Sequence, residues 1–367
     1  MIISRVELIQ AELPFHAPFR IAISESSGTT NVFVRLTTAS GLVGWGEASP
    51  SPAITGDTPE TMLAAGRLLA QVLLGRDARD PEGAERAMRT RLTGHPTMKS
   101  GFDMAVHDLA SRLAELPLHL YLGGGRRLFQ TDNTVGMDEP ERMGARAAAF
   151  VAEGYPAVKA KVGGAADLDV ARVRAIRSSV GPDVPIRLDA NQGWDVPTAV
   201  EVLRRVQPLG IQYCEQPVRR GDLEGMREVR SRVEIPIMAD ESVFDDRDAF
   251  RLASARACDY LNIKLSKSAG IRTALRITAV AEASGLACML GCMSETRLGL
   301  TAAAHVISAK PVIRFADLDS HVDHTLDPVE GGIRIEAGTV HLPPGNGIGA
   351  VLSEAFVAEC PVEVFEA

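Results

Sequence analysis

The sequence lacks the features that mark secreted, membrane-spanning and nucleic-acid-binding proteins. Its five cysteines are an odd, scattered set with no C-x-x-C pair, so we expect reduced, buried thiols in a cytoplasmic protein rather than a disulfide framework. No secretory signal is visible at the N-terminus, and no apolar run approaches the roughly 20 residues of a membrane helix. The net charge of −8 argues against nucleic acid or an anionic membrane surface as a partner.

The bulk composition is that of a globular protein with ample core material. A chain of 367 residues, 46% of them apolar, favours one large barrel with a smaller partner domain. Residues 1 to about 50 contain β-forming runs, interrupted at residues 20–28 by a polar segment that we expect to be a mobile loop. A second loop, rich in glycine, proline and threonine, follows at residues 49–58.

From residue 58 the apolar residues recur with the period of a helix. Thr58 and Pro59 are typical of a helix start. Residues 99–113 predict a helix whose apolar face contains Phe102, Ala105, Val106, Leu109 and Leu113. The glycine-rich turn at residues 122–125 predicts the end of an α+β capping domain that covers residues 1–125.

After residue 125, apolar strands alternate with helical segments, which predicts a parallel sheet. The residues that end successive strands recur every 24 to 28 positions, one βα unit apart: Lys161, Asp189, Glu215, Asp240, Lys264, Gly291 and Asp317. Eight such strands predict a TIM-type barrel over residues 126–330, with functional residues at the carboxyl ends of the strands. We expect residues 331–367 to return to the cap.

Three of these strand ends carry carboxylates. Asp189, Glu215 and Asp240 follow adjacent strands, so they should converge on the barrel mouth and repel one another unless a cation lies between them. Oxygen ligands with no His or Cys nearby favour Mg²⁺ or Mn²⁺ over Zn²⁺. The alternative is that each acid merely caps the N-terminus of the following helix.

Lysines flank this expected metal site. Lys159 and Lys161 lie at i and i+2 of one strand and share a face, while Lys264 ends a strand on the opposite side of the barrel. One lysine could remove a proton from a metal-bound substrate, and the other could return one to the opposite face. A lysine base must be neutral near pH 7, so we expect burial, Lys159 and the metal to lower its pKa. The alternative is a surface Lys-x-Lys pair.

Asp317 and Asp319 form a second pair at i and i+2, after the last barrel strand. On one face they can accept hydrogen bonds from a single ammonium group, and the alternative is a solvated acidic loop. His321 and His324 follow closely, and we expect them to be surface or loop histidines.

Together these residues resemble the enolase superfamily, in its muconate-lactonizing subgroup, and within that subgroup the dipeptide epimerases. The resemblance covers nearly the whole chain. Its parts are GWGEA (44–48), ITGD (54–57), KAKVG (159–163), LDANQGW (188–194), EQP (215–217), ADES (239–242), NIKL (262–265) and DLD (317–319). The lysine and acid set is specific to the subgroup, and the ITGD and DLD segments point to dipeptides.

The resemblance implies an α/β fold, in which an α+β N-terminal capping domain, completed by the C-terminal segment, covers a modified (β/α)7β TIM barrel. It implies that the three carboxylates hold Mg²⁺, which binds the terminal carboxylate of a dipeptide substrate. Lys161 and Lys264 would exchange the α-proton of the C-terminal residue through an enediolate and invert its configuration, while Lys159 helps to neutralise the carboxylate. Asp317 and Asp319 would hold the α-ammonium group.

The first cap loop departs from the Ala-Glu members of this family. Those members carry an arginine five residues after a Pro-Phe pair, whereas this chain has Ser24 five residues after Phe19. We therefore expect a preference other than Ala-Glu, set by the cap loops that carry Ser24 and Ile54. N-acylamino acid racemisation, o-succinylbenzoate synthesis, muconate cycloisomerisation and a non-catalytic ligand-binding barrel stay open as alternatives. The family often forms homo-oligomers, but the sequence shows no interface.

Overall fold

The N-terminal part of the chain forms an antiparallel sheet followed by a group of helices. A computed structural model describes residues 1–125 and 128–367. Thr58 caps the first helix as predicted, because its hydroxyl accepts a hydrogen bond from the backbone N–H of Thr61 at 3.3 Å. The elements are β1 (Ile3–Ile21), β2 (Ser24–Thr38), β3 (Val43–Ala48), α1 (Pro59–Leu73), α2 (Pro81–Arg91), α3 (Pro96–Leu113) and α4 (Leu118–Tyr121).

Strands and helices then alternate along the chain. They are β4 (Phe129–Gln130), β5 (Asn133–Val135), α5 (Pro140–Ala152), β6 (Val158–Lys161), α6 (Ala166–Val180), β7 (Ile186–Asp189), α7 (Val196–Val206), β8 (Ile211–Glu215), α8 (Leu223–Arg232), β9 (Ile237–Ala239), α9 (Asp246–Ala255), β10 (Tyr260–Lys264), α10 (Ile271–Ser284), β11 (Ala287–Gly291), α11 (Arg297–Ala309) and β12 (Ile313–Asp317). Strands β5 to β12 form one parallel sheet in sequence order. Seven helices of the described chain separate these eight strands, which confirms the predicted (β/α)7β barrel.

The last part of the chain returns to the N-terminal sheet. It contains β13 (Val329–Gly331), β14 (Arg334–Glu336), β15 (Thr339–His341), β16 (Ala350–Leu352), α12 (Glu354–Val357) and β17 (Val362–Glu366). Strand β17 pairs antiparallel with β1 in a sheet of order β17-β1-β2-β3. Residues 126 and 127, where the predicted barrel domain begins, lie outside the described residues, and the division of the chain at 125 and 330 stays a prediction. No helix of the described part has both the length and the apolar character needed to cross a membrane.

The segment at residues 20–28 differs from the mobile loop that we predict from the sequence. Here β1 and β2 continue as a long hairpin, with Ile21 opposite Ser24. The backbone carbonyl of Arg20 also accepts a hydrogen bond from the N–H of Met137 at 2.9 Å, which attaches the hairpin to the barrel. Residue propensities miss these strands because the pairing uses the backbone of exposed polar residues and buries few side chains.

Glu47, in β3, links the N-terminal sheet to the barrel. Its fully buried carboxylate accepts hydrogen bonds from Asn31 Nδ2 at 2.7 Å, from Thr296 N and Oγ1 at 2.8 Å, and from Gly299 N at 2.8 Å. Thr296 and Gly299 lie at the N-terminus of α11, where backbone N–H groups lack helical partners and a negative charge is favoured. This contact fixes the cap over the end of β11.

Replacing the carboxylate of Glu47 should destabilise the protein. The substitution Glu47→Ala removes the carboxylate acceptor of buried donors on three residues, and we expect the free energy of unfolding to fall by about 3 kcal/mol or more. Urea unfolding measures the change. Glu336→Ala is the control, because Glu336 forms only exposed ion pairs in the described structure and such pairs contribute little. Equal stability of the two variants would contradict the role given to Glu47.

Candidate active site

The carboxyl ends of the parallel strands bring the predicted site residues together. In the sheet register, Lys161 lies beside Asp189, and Asp189 lies beside Glu215. Lys264 ends strand β10, across the barrel from Lys161, and Asp317 ends strand β12. Because alternate side chains of a strand point to the same face, these strand ends direct their polar groups into one region at the barrel mouth.

Asp189, Glu215 and Asp240 form a cluster in which one carboxylate oxygen of each lies within 4.8 Å of the others. All three residues are fully buried. Within the described chain, Glu215 Oε2 and both carboxylate oxygens of Asp240 have no hydrogen-bond partner, although lysine ammonium groups approach them. Buried oxygens with unused lone pairs, and no nitrogen or sulfur ligand among them, fit a hard divalent cation.

Neighbouring residues orient these carboxylates. Asn262 Nδ2 donates to Glu215 Oε1 at 2.6 Å, and the backbone N–H of Asn191 donates to Asp189 Oδ1 at 3.0 Å. The alternative role, capping of the following helices, is excluded because α7, α8 and α9 are capped by other residues: Asp195, Asp222 and Asp245.

Two lysines approach the carboxylate cluster from opposite sides. Lys161 Nζ lies 2.6 Å from Asp189 Oδ2, and Lys264 Nζ lies 3.0 Å from Asp240 Oδ2. Their strands, β6 and β10, are separated by three strands of the eight-stranded sheet, so the two ammonium groups stand on opposite walls of the barrel mouth. Both lysine side chains are buried.

Lys159 lies two residues before Lys161 and is only 1% exposed. Its Nζ contacts Asp317 Oδ2 at 2.7 Å, Glu215 Oε2 at 2.9 Å and Asp189 Oδ2 at 3.2 Å. Burial lowers the pKa of Lys159, but these three carboxylates outweigh burial and hold the pKa well above its usual value. Lys159 is therefore a fixed buried cation that joins the carboxylates, and not part of a surface Lys-x-Lys pair.

The pKa of Lys264 differs from the lowered value that we expect for a base. Burial lowers this pKa, but the carboxylates of Asp240 and Glu215 outweigh burial and raise it well above its usual value. For Glu215, whose charged form is the deprotonated one, burial and the charge of Asp189 raise the pKa to about 8. The carboxylates alone thus favour the protonated form of Lys264, and a metal ion held by the cluster would lower its pKa.

Asp317 and Asp319 lie together at the rim, each with one carboxylate oxygen within 4.8 Å of the other and of Cys292 Sγ. Asp317 Oδ2 accepts a hydrogen bond from Lys159, and Asp319 Oδ1 lies 3.5 Å from the Cys292 thiol. Burial, followed by the charges of Asp317 and Asp132, raises the pKa of Asp319 to about 8. The pair is buried and is not the solvated loop of the alternative. An added ammonium group would stabilise the charged form of Asp319.

A cavity of about 70 Å³ lies between these groups and the β1–β2 hairpin. Lys161 and Lys264 both line it, as do both aspartates of the rim. Phe15 and Phe19, from β1, cover the same cavity. The structure therefore brings the two candidate bases and the candidate ammonium site to the wall of one cavity beneath the hairpin.

Two cap residues that we predict to contact the substrate lie outside this cavity. Ser24 is exposed at the end of the hairpin, and Ile54 is buried, with its carbonyl accepting a hydrogen bond from Arg220 Nη1 at 2.6 Å. Their neighbours Ile23 and Ala53 line a larger outer cleft of about 980 Å³. Substrate contact by Ser24 or Ile54 stays a prediction.

Sequence reasoning missed two side chains that support the site. The fully buried Lys267 contacts Asp240 Oδ1 and donates to the backbone carbonyl of Asn262 at 3.1 Å. It follows the end of β10 by three residues, where strand alternation provides no signal. His324 is a loop residue as expected, but it is buried and stacks on Phe15 with ring centroids 5.5 Å apart, which supports the hairpin.

Comparison with known protein families matches both parts of the chain. Residues 3–123 match the N-terminal domain of mandelate racemase / muconate lactonizing enzyme, and residues 142–356 match the enolase C-terminal domain-like family. The chain belongs to the mandelate racemase and muconate lactonizing enzyme family of the enolase superfamily. The resemblance inferred from the motifs is thereby confirmed.

Relatives within this family are similar over nearly their whole length. The D-Ala-D/L-Ala epimerase of Cytophaga hutchinsonii is 42% identical over 352 residues, 95% of this chain and 96% of that protein. The L-Ala-D/L-Glu epimerase of Bacillus subtilis is 40% identical over 356 residues, 96% of this chain and 97% of that protein. The crystal structure of the Cytophaga hutchinsonii dipeptide epimerase, complexed with Mg and D-Ala-L-Val, has a TM-score of 0.98 at 40% identity and covers 99% of this chain and 100% of that one.

The carboxylate cluster predicts a stability that depends on divalent cations. A cation bound at 100 times its Kd stabilises the folded state by about 2.7 kcal/mol, so Mg²⁺ should raise the thermal midpoint and EDTA should reverse the rise. In Glu215→Gln the rise should be much smaller, because one ligand charge is lost. Asp319→Asn, which leaves the cluster intact, is the matched control. A wild-type midpoint that does not respond to Mg²⁺, Mn²⁺ or Ca²⁺ would contradict a metal site here.

Proposed function

We propose that this protein is an Mg²⁺-dependent dipeptide epimerase that inverts the α-carbon of the C-terminal residue. The observation that carries the proposal is that Lys161 and Lys264 line one cavity and flank the carboxylate cluster from opposite walls. Inversion requires one group to remove a proton from one face and another to supply a proton to the opposite face. Similarity to epimerases of dipeptides over nearly the full chain supports the same activity.

In the proposed reaction, one lysine is neutral and takes the α-proton, becoming an ammonium group. The electron pair left on the α-carbon spreads onto the substrate carboxylate. The other lysine begins as an ammonium group and gives a proton to the opposite face of the α-carbon. The substrate is inverted, and the two lysines have exchanged protonation states, so protons and charge balance.

Bound Mg²⁺, with Mn²⁺ as a substitute, would hold the substrate carboxylate and stabilise the charge that develops on it. Asp189, Glu215 and Asp240 are the residues that would hold the cation. Lys159, within 3.2 Å of three carboxylates, keeps the cluster together and adds positive potential where the negative charge develops. We include in this proposal a contact between Lys159 and the substrate carboxylate.

Asp317 and Asp319 would bind the α-ammonium group of the dipeptide. Both line the cavity that contains the two lysines, and Asp319 lacks an ion-pair partner among the described residues. N-acylamino acids, succinylbenzoate precursors and muconates have no such ammonium group, so they would leave Asp319 buried without a cation. This observation favours dipeptides over the other activities of the subgroup.

The walls of the cavity disfavour an anionic side chain on the residue that is inverted. Apart from the two lysines, no cationic residue of the described chain lines the cavity, and Phe15, Phe19 and Met293 supply apolar surface. A glutamate side chain would find no cationic partner there, in agreement with Ser24 at the position of the arginine in Ala-Glu members. The cavity is smaller than the roughly 300 Å³ of ordinary ligand sites, so we expect the hairpin to move outward when a dipeptide enters.

Proton exchange with solvent tests the proposed activity. The Mg²⁺-loaded protein is incubated in D₂O with a library of L,L-dipeptides, and deuterium uptake is read by mass spectrometry. We expect uptake at one α-carbon, with L-Ala-L-Ala exchanged faster than L-Ala-L-Glu. Absence of exchange with every dipeptide, together with turnover of an N-acylamino acid or a muconate, would disprove the proposal.

The variant Asp319→Asn tests whether Asp319 recognises the dipeptide. It removes the negative charge that binds the α-ammonium group but leaves the three metal-binding carboxylates in place, so KM for a dipeptide should rise by about tenfold or more. Mg²⁺ affinity, measured by calorimetry, should change far less. Equal losses of dipeptide and Mg²⁺ binding would show that Asp319 acts on the metal site instead.

The expected homo-oligomeric state and cytoplasmic location stay predictions.

A further inference from the structure

A second cavity lies between the cap helices and the barrel, and we call it the cap–barrel cavity. Helices α2 and α3 form one wall, and the loop after β10 with the start of α10 forms another. Its volume of about 420 Å³ falls within the roughly 300–1,000 Å³ of small-molecule sites. It shares no lining residue with the cavity that contains Lys161 and Lys264, so it is a separate candidate site.

Two buried oxygen atoms on its walls have no hydrogen-bond partner among the described residues. They are Glu85 Oε2, in a residue that is 6% exposed, and Ser268 Oγ, in a residue that is 1% exposed. Glu85 binds Arg276 Nη2 through its other oxygen, at 2.8 Å, so its Oε2 stays available. Buried polar atoms without partners are costly, and a bound molecule that donates to them would remove this cost.

Lys99 brings the opposite charge to the same cavity. It is 7% exposed, and its ammonium group donates to the backbone carbonyl of Leu92. No carboxylate of the described chain lies within ion-pair distance of Lys99, and burial lowers its pKa. An ammonium group has three donors, so Lys99 can still bind an anionic oxygen.

We propose that the cap–barrel cavity binds a small zwitterion with the chemistry of an amino acid, its carboxylate on Lys99 and its ammonium group on Glu85. A simple anion would leave Glu85 Oε2 without a donor, and a simple cation would leave the ammonium group of Lys99 with only its backbone acceptor, Leu92. A molecule with both a carboxylate and an ammonium group would pair with Lys99 and Glu85 at once, and it would also reach Ser268. Free amino acids and dipeptides share this chemistry.

The location gives such a ligand contact with both parts of the molecule. Glu85 and Lys99 belong to the cap helices, while Ser268 follows the barrel strand β10. Lys267, whose ammonium group contacts Asp240, also lines the cavity. The proposal does not depend on the reaction at the barrel mouth, and its test must separate the two cavities.

Calorimetric titration of the Mg²⁺-loaded Asp319→Asn protein makes this separation, because this background weakens dipeptide binding at the barrel mouth. The probes are L-alanine for free amino acids and L-Ala-L-Ala for dipeptides, with acetate and methylamine as single-charge controls. We expect at least one zwitterion to bind, and to bind at least about tenfold more tightly than either control. If neither zwitterion binds, the proposal is overturned. It is also overturned if acetate binds as tightly as the zwitterions.

Variants of the cap–barrel cavity complete the test. Ser268→Ala removes an unpartnered hydroxyl and should leave the unfolding midpoint unchanged while it weakens binding of the zwitterion. Lys99→Met should weaken binding by about tenfold or more, through loss of a charged hydrogen bond. Binding that is unchanged in both folded variants would place the ligand elsewhere and overturn the assignment.

Discussion

The structure depends on the balance of buried charge at the barrel mouth. In the described chain, four lysines pair there with four carboxylates: Lys159, Lys161, Lys264 and Lys267 with Asp189, Glu215, Asp240 and Asp317. Loss of one partner from such a set is costly, because the other charge stays buried. A divalent cation would add two positive charges and a substrate carboxylate one negative charge, while the substrate ammonium group and Asp319 would offset each other. Balance then returns when one lysine loses its proton, which is the state that a base needs.

The cap completes this arrangement by closing the barrel mouth and carrying the residues that touch the cavity. Phe15 and Phe19 reach it from β1, and the stack of Phe15 on His324 holds the hairpin against the loop after β12. Glu47 fixes β3 to the N-terminus of α11. The two candidate bases therefore lie on barrel strands, whereas Phe15 and Phe19 on the opposite wall of the cavity are carried by a hairpin.

Periodicity in the sequence predicts the barrel and its strand-end residues because each βα unit repeats at nearly constant length. Lys161, Asp189 and Glu215 lie in neighbouring strands in the predicted order, since parallel pairing leaves little freedom in register. The hairpin at residues 20–28 was not predictable in this way, because its pairing depends on backbone hydrogen bonds and not on an apolar face. The contacts of Lys267, and the positions of Glu85 and Lys99 on the walls of the cap–barrel cavity, depend on how loops and helices meet in three dimensions.

The central claim is that the two lysines act on opposite faces of one α-carbon. The most direct measurement removes one lysine at a time and follows exchange of the α-proton. Lys161→Met and Lys264→Met proteins, each loaded with Mg²⁺, are incubated in D₂O with either epimer of a dipeptide substrate. Each variant should lose epimerisation, and each should exchange the α-proton of one epimer only, with the opposite choice of epimer in the two variants. Exchange of both epimers by a single variant, in protein that still binds Mg²⁺, would contradict the account.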